Sequence, residues 1–518
     1  MSAARLGPDV VLPAGVIAPA VQPESVGIVH LGWGAFHRAH QAVYTQDAME
    51  KSGELTWGIL GDVERTPTLV PAAREQGGRY TVLTVGPNSD GSRKEQARVI
   101  AAVMDVAYPG DETPRLLNAM AAVTTHVITL TITEKGYTRR ADGSLDTDQA
   151  GPDLAAFAAE LNSDICDTST AAPAATAIGL LVRGLVARFR AGGAPITVLS
   201  CDNMADNGTV LKAVVEEFVQ HGCTCPKTWS SEADSCLACG AFSAWLATAT
   251  TWPSSMVDRI TPAITAETLD RVEQILGFRD EAAISAEPFL QWVIEDNFIA
   301  PRPAWELAGA QLVSHETVAT WEEAKLRMLN GTHSVIAYAG RLFGYSTMAE
   351  AMVAPEIAPH ARAYMFDDAL PSVTPPEGAD LPAYGEDLLR RFANPATGHS
   401  TRQVSTDGSQ KIPFRWGAAA AAALEAGRVP QGVAFGLAAW SEFVRRAVRD
   451  EVDLGDPASA EKLTTTVLAY GVDNPAQVAA HLVGLPGILP EGVGSHPDLL
   501  SAVLQHTEAI AAATDTLL

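Results

Sequence analysis

The chain has 518 residues, of which 47% are hydrophobic and 19% charged, a globular composition with material for roughly two to four domains. Its formal net charge of −25 disfavours nucleic acid, which needs a basic footprint, and disfavours an anionic membrane surface for the same reason. The opening stretch is broken by prolines and lacks the layout of a signal peptide, and no apolar run approaches the ~18 residues that span a bilayer, so the cytoplasm is the expected location.

The first half alternates short β-rich runs with helical stretches. The expected strands are "GIVHLGWG" (27–34), "WGILG" (57–61), "YTVLTV" (80–85), "ARVIAAVM" (97–104), "HVITLTIT" (126–133) and "ITVLSC" (196–201). Most are continuously apolar, as strands buried on both faces are. Strands separated by helices imply an α/β fold, a parallel, doubly wound sheet of the Rossmann type over residues 1–295.

In "GIVHLGWGAFHRAHQ" the pair Gly32-x-Gly34 follows the first strand and precedes a helix opened by Ala35 and Phe36. A dinucleotide fold wants glycines there, so that backbone can approach a pyrophosphate at a helix N-terminus. The third glycine of the usual fingerprint is replaced by His37. Asp62, after the second strand, is placed to accept hydrogen bonds from an adenosine ribose, which favours NAD over NADP. Arg65 would instead suit a 2′-phosphate. Among the basic residues of the turn, Arg38 is the expected pyrophosphate contact, ahead of His37 and His40.

Four of the six cysteines, Cys223, Cys225, Cys236 and Cys239, lie in "CTCPKTWSSEADSCLAC". A CxC followed by CxxC can place four thiolates around a structural zinc. A disulfide pair, or ordinary thiols in a surface insertion, are the alternatives.

Beyond about residue 290 the β signal fades, and 296–518 reads as a mainly helical domain. "WEEAKLRMLN" onward, "PAYGEDLLRRFAN", "RWGAAAAAALEAG" and "VAFGLAAWSEFVRRAVRD" are the expected helices, with a capping box at Thr320 and Glu323 opening the first. On a wheel of 100° per residue, with Lys325 at zero, Glu322 falls near ~60°, His333 near ~80° and Asn330 near ~140°. These four share one face among Leu326, Met328, Leu329, Val335 and Ile336. A solvated polar face with a Glu322–Lys325 pair is the plain alternative to a cleft.

"GWGAFHRAHQAVYTQD", "TITEKGY", "SCDNMADNG", "SSMVDRITP", "KLRMLNGTHS", "RFANPATGH" and "DGSQK" occur in that order. Together they resemble the polyol-specific long-chain dehydrogenases, the family of mannitol 2-dehydrogenase and fructuronate reductase, from about Gly27 to beyond Arg415. The resemblance implies a metal-independent NAD(P) dehydrogenase with a Rossmann-type domain and a helical C-terminal domain. It maps a catalytic Lys-Asn-His set onto Lys325, Asn330 and His333. A second asparagine maps onto Asn203, an acidic residue onto Glu134, an aspartate onto Asp258 and a proton-transfer glutamate onto Glu322. Arg402 and Lys411 are expected to face substrate, although Gln403 stands where some relatives have another arginine. The cysteine stretch looks like an insertion relative to the family.

Oxidising a secondary alcohol needs a base for the hydroxyl proton and donors for the developing oxyanion. Lysine is a poor base at its free pKa of about 10.4, so burial or cationic neighbours must lower it. Asn203 and Asn330 supply neutral donors, His333 can orient the lysine or bind a hydroxyl, and Glu322 can pass the proton to solvent. A neutral polyol is the favoured substrate, and a hexuronate, whose carboxylate wants a cation, the alternative. A zinc-dependent alcohol dehydrogenase and an inactive NAD-binding sensor or scaffold are the rival classes. A monomer or small homo-oligomer fits the chain, which shows no obvious long exposed apolar stripe.

Overall fold

The computed structural model describes residues 4–63, 66–87, 93–140, 142–163, 167–223, 237–395 and 398–514. It divides into two compact units, Met1–Val318 and Ala319–Leu518. That division falls later than the expected 295/296 boundary, because strand Gln311–Val313 pairs in parallel with Gln291–Glu295 and so belongs with the first unit.

The first unit is built on a six-stranded sheet whose strands, numbered here within that sheet, are β1 (Val26–Leu31), β2 (Gly58–Asp62), β3 (Val103–Ala107), β4 (Val127–Leu130), β5 (Ile196–Ser200) and β6 (Thr250–Thr251). Every pairing is parallel and the order is β3-β2-β1-β4-β5-β6. This is the dinucleotide-fold order, whose direction reverses between β1 and β4 and leaves a crevice at the strands' carboxyl ends. Both faces are covered: β2, β4 and β5 are buried along their whole length. Their Val, Ile and Leu content, broken only by small or polar residues such as Gly61, Thr129 and Thr197, follows from that.

Two expected strands belong elsewhere. Tyr80–Pro87 and Arg93–Ile100 form an antiparallel pair, joined in its own sheet by Ile284–Ala286. The apolar run 97–104 is not one strand. Its first residues close this pair, Ala101 and Ala102 intervene, and its end opens β3. The outer strand starts polar and exposed, with Arg93 and Lys94, which a scan for apolar runs skips. A third small sheet orders Gln311–Val313, Gln291–Glu295 and Ser255–Asp258.

The second unit is helical. Gln431–Arg449 is its central helix, buried along most of its length, with Leu437 and Trp440 packed in one core with Val335, Ile336, Tyr364 and Trp416. The helix that begins at His315 starts earlier than the Thr320–Glu323 box suggested. Ser314 Oγ accepts from the Thr317 N–H, and Glu323 instead pairs with Arg327 at 2.5 Å. Among the described residues no helix is long and apolar enough to cross a membrane.

Candidate active site

In the first unit the chain leaves β1 into the turn Gly32-Trp33-Gly34. Gly32 has φ +91, and a Cβ there would lie 2.3 Å from the Thr131 carbonyl oxygen, so only glycine fits. The Trp33 N–H donates to the Asp62 carbonyl at 2.7 Å, which ties the turn to the end of β2. His30, inside β1, donates from Nε2 to the Gly32 carbonyl at 3.0 Å and accepts the Thr129 hydroxyl at Nδ1, 2.8 Å. Burial pushes its pKa down to about 3, against the raising effect of the Gly32 contact, so the ring is neutral. His37 stacks on it with centroids 3.4 Å apart. Gly34 is exposed, and Ala35 and Phe36 are half-buried.

Arg38 does not point outward. Its guanidinium donates to the carbonyls of Gly34, at 3.2 Å, and Ala282, at 2.5 Å, and lies over the Trp33 ring. Burial lowers its pKa to about 10. The expected pyrophosphate contact is therefore a clamp inside the protein, because a cation four residues past the turn satisfies carbonyls there instead of reaching solvent. Asp62 is buried at the end of β2, and Arg65 lies outside the described residues.

The segments after β4 and β5 are joined by Asp202. Its carboxylate accepts from the Ile132 N–H at 2.6 Å, the Tyr137 hydroxyl at 2.5 Å and the Ser200 hydroxyl at 3.0 Å. Burial raises its pKa to about 7 despite these donors. Asp202 and Tyr137, in the "SCDN" and "TEKGY" stretches, are not among the expected site residues, because nothing in either stretch alone shows that the two meet. Glu134, first residue of a 3₁₀ turn, and Asn203 flank this joint and are exposed. Asp258 is buried at the end of its strand, while the neighbouring Arg259 donates to the carbonyls of Glu287 and Ala39.

Cys223 and Cys239 are joined by a disulfide. Sulfurs bonded to each other are not thiolate ligands, so the four-cysteine zinc expectation is corrected to the disulfide alternative; Cys225 and Cys236 lie outside the described residues.

In the second unit the expected α-helix is interrupted. Lys325–Asn330 is a π-turn, followed by α-helix Gly331–Leu342. The Gly331 N–H donates to the Leu326 carbonyl five residues back, the π pattern. Lys325 is the first residue of this widened turn and Asn330 the last. Because i→i+5 bonding brings residues five apart closer to one face than an α-turn does, the pair is better aligned than the ~140° of the wheel. Glu322 and Lys325 are half-buried; Asn330 and His333 are buried. His333 Nε2 has no hydrogen-bond partner among the described residues. Its ring packs on Phe392 at 4.3 Å and lies 5.2 Å from His399. Burial first, then the charges of His399, Arg415, Arg391 and Lys325, holds its pKa well below the ordinary value.

Apart from Lys325, the cations around His333 are not the two expected to face substrate. Lys411 donates from Nζ to the Thr406 carbonyl at 2.8 Å and the Thr406 hydroxyl at 3.3 Å. Arg402 is exposed on the short helix Thr401–Val404 and its charge is felt by Arg341, at the other end of Gly331–Leu342 from Asn330. Arg415, one turn after Lys411, donates to the Asn330 carbonyl at 3.2 Å and the Ser334 hydroxyl at 2.7 Å. Arg391 is buried.

Two family models match the chain: the mannitol dehydrogenase Rossmann domain over residues 26–307 and the mannitol dehydrogenase C-terminal domain over residues 317–488. The D-mannonate oxidoreductase of Escherichia coli (strain K12) is 38% identical over 486 residues, 92% of this chain and 91% of that protein. Among solved structures, the Pseudomonas fluorescens mannitol 2-dehydrogenase ternary complex with NAD and D-mannitol matches with a TM-score of 0.77 at 27% identity, over 98% of this chain and 97% of that one. A D-sorbitol dehydrogenase in substrate-free form matches with a TM-score of 0.80 at 27% identity, over 97% of both chains.

Proposed function

As the chain belongs to the mannitol dehydrogenase family, we propose that it is a cytoplasmic, NAD-dependent oxidoreductase that converts a secondary alcohol of a polyol to the ketone, and the reverse, without a catalytic metal. The observation that carries this reading is the placement of Lys325 and Asn330 at the two ends of one π-turn, with His333 just beyond. The first unit fits a dinucleotide: Gly32 supplies the positive φ of the turn, Gly34 leaves open the space a side chain would fill, with nothing closer than the Gly32 carbonyl oxygen at 3.7 Å, and Asp62 ends β2 beside the turn. Gly32, Gly34, Ala35 and Phe36 would line the pyrophosphate and Asp62 the adenosine ribose. Bound there, NAD supplies the acceptor for the carbinol hydride.

The remaining work falls to side chains. Lys325 takes the hydroxyl proton, and Glu322, just under a turn before it, passes that proton on. Asn330 and Asn203 donate N–H groups to the oxygen as negative charge grows on it. His333 is held uncharged by burial, so it orients Lys325 or binds a neighbouring hydroxyl and stores no proton. Glu134 and Asp258 keep the catalytic and substrate-binding places the resemblance gives them.

A specific observation favours a second reading. The cationic character near His333, from Arg391 and Arg415, suits a carboxylate-bearing substrate, and the E. coli relative is a D-mannonate oxidoreductase. The test is NAD and NADP reduction with D-mannitol, D-arabinitol, D-sorbitol and D-mannonate, each with and without a chelator. Turnover of a neutral polyol with NAD, undiminished by chelation, is expected. Turnover of mannonate alone selects the second reading, and no turnover of any substrate overturns both.

A further inference from the structure

A π-turn takes carbonyl groups off the straight α-helical ladder, and buried carbonyls left without donors are costly. Here donors come from elsewhere in the fold. The Tyr364 hydroxyl lies 2.9 Å from the Arg327 carbonyl oxygen and 2.8 Å from that of Arg415, and its one proton is shared between them. Trp416 Nε1–H donates to the Gly331 carbonyl at 3.0 Å, and Arg415 caps that of Asn330. Tyr364 is fully buried and itself opens a second π-turn, Tyr364–Ala369. Its oxygen occupies the space beside Gly331: a Cβ on that residue would sit 1.9 Å from it. The glycine of "MLNGTH" is thus the notch that lets the tyrosine reach the backbone between Lys325 and Asn330.

We propose that Tyr364 is a positioning residue for the reaction, its hydroxyl fixing the widened turn that sets Lys325 and Asn330 on a common face. It touches neither substrate nor cofactor; it acts through the Arg327 carbonyl, midway between the two. Burial raises the tyrosine pKa, so the O–H remains a donor at any working pH. Without that bond the backbone has less reason to stay widened, and an ordinary α-turn would swing Asn330 away from Lys325. The inference rests on the reading of Lys325 as the base.

The test is Tyr364→Phe, which keeps the buried ring and removes the hydroxyl, with Lys325→Ala in parallel. Turnover is measured per folded active site, counted by NADH titration, on whichever of D-mannitol, D-arabinitol, D-sorbitol and D-mannonate the wild type turns over fastest, and on the same substrate deuterated at the carbinol carbon. For Tyr364→Phe the expected result is a kcat at least ~10-fold lower, KM for NAD within about twofold of wild type, and a deuterium isotope effect on kcat as large as wild type's or larger. A merely structural role would reduce the folded fraction or the melting temperature and leave kcat per site and its isotope effect unmoved; that outcome overturns the inference. Should Tyr364→Phe not fold, Trp416→Phe withdraws the donor at Gly331 and is judged by the same readouts. Loss of activity in Lys325→Ala with full kcat in Tyr364→Phe removes the positioning role alone. Full kcat in Lys325→Ala removes the underlying reading.

Discussion

The turn after β1 and the widened turn at Lys325–Asn330 both take the backbone off its regular path, by opposite means. The first is local. Gly32 adopts φ +91 because it has no side chain, and His30, two residues away, bonds its carbonyl. The second is distributed. Carbonyls in and just after the π-turn are capped by Tyr364, Arg415 and Trp416, from 37 to 85 positions along the chain. A backbone feature set by its own residues can be read from a short motif. One held by distant donors cannot, because those donors lie outside the motif.

The two regions should therefore fail differently. The largest effect is expected at the widened turn: Lys325→Ala should lower kcat by at least ~10² with little change in cofactor affinity, read by steady-state kinetics and NADH titration. Near-normal turnover would mean that the turn carries no base. At the nucleotide turn, Asp62→Asn should leave kcat nearly intact and weaken NAD several-fold more than NADP, measured as dissociation constants. Equal losses for both cofactors would take Asp62 away from the ribose.

The smallest effect is shared by both regions. Burial holds His30, His37 and His333 neutral, with pKa values lowered below 6.5. A group whose folded pKa is depressed favours the native state above its unfolded value and loses that contribution as pH falls. Stability should therefore decline below pH ~6.5, by up to ~1.4 kcal/mol per pH unit for each such histidine. Urea unfolding between pH 7.5 and 5 measures this. His333→Gln should shallow the slope by one group, and an unchanged slope would remove His333 from the set.

Particular elements show what sequence alone can carry. Strands β1, β2, β4 and β5 were legible because burial on both faces makes them mostly apolar. The antiparallel pair at residues 80–100 was misplaced because one of its strands is half polar and the other mimics a parallel strand. The turn at Gly32 and the position of Asp62 at the end of β2 were legible from their place at strand ends. Arg38 was not, since charge at a turn is silent about whether carbonyls within reach will claim it. Lys325, Asn330 and His333 could be nominated from spacing and resemblance. Arg415 could not be preferred over Lys411, since only the packing of helix Gly408–Glu425 decides which of two cations one turn apart meets Asn330.

The π-turn also makes the helix sensitive to its own length. A π-turn is in effect an α-helix carrying one surplus residue. Deleting one residue inside Lys325–Asn330 would let the helix relax into a uniform α-spiral: the residues beyond would keep their facing, since the widened turn already absorbs the surplus, but Lys325 and Asn330 would no longer close one widened turn. Chains that keep its composition and lose one residue would keep a good helix and forfeit the site.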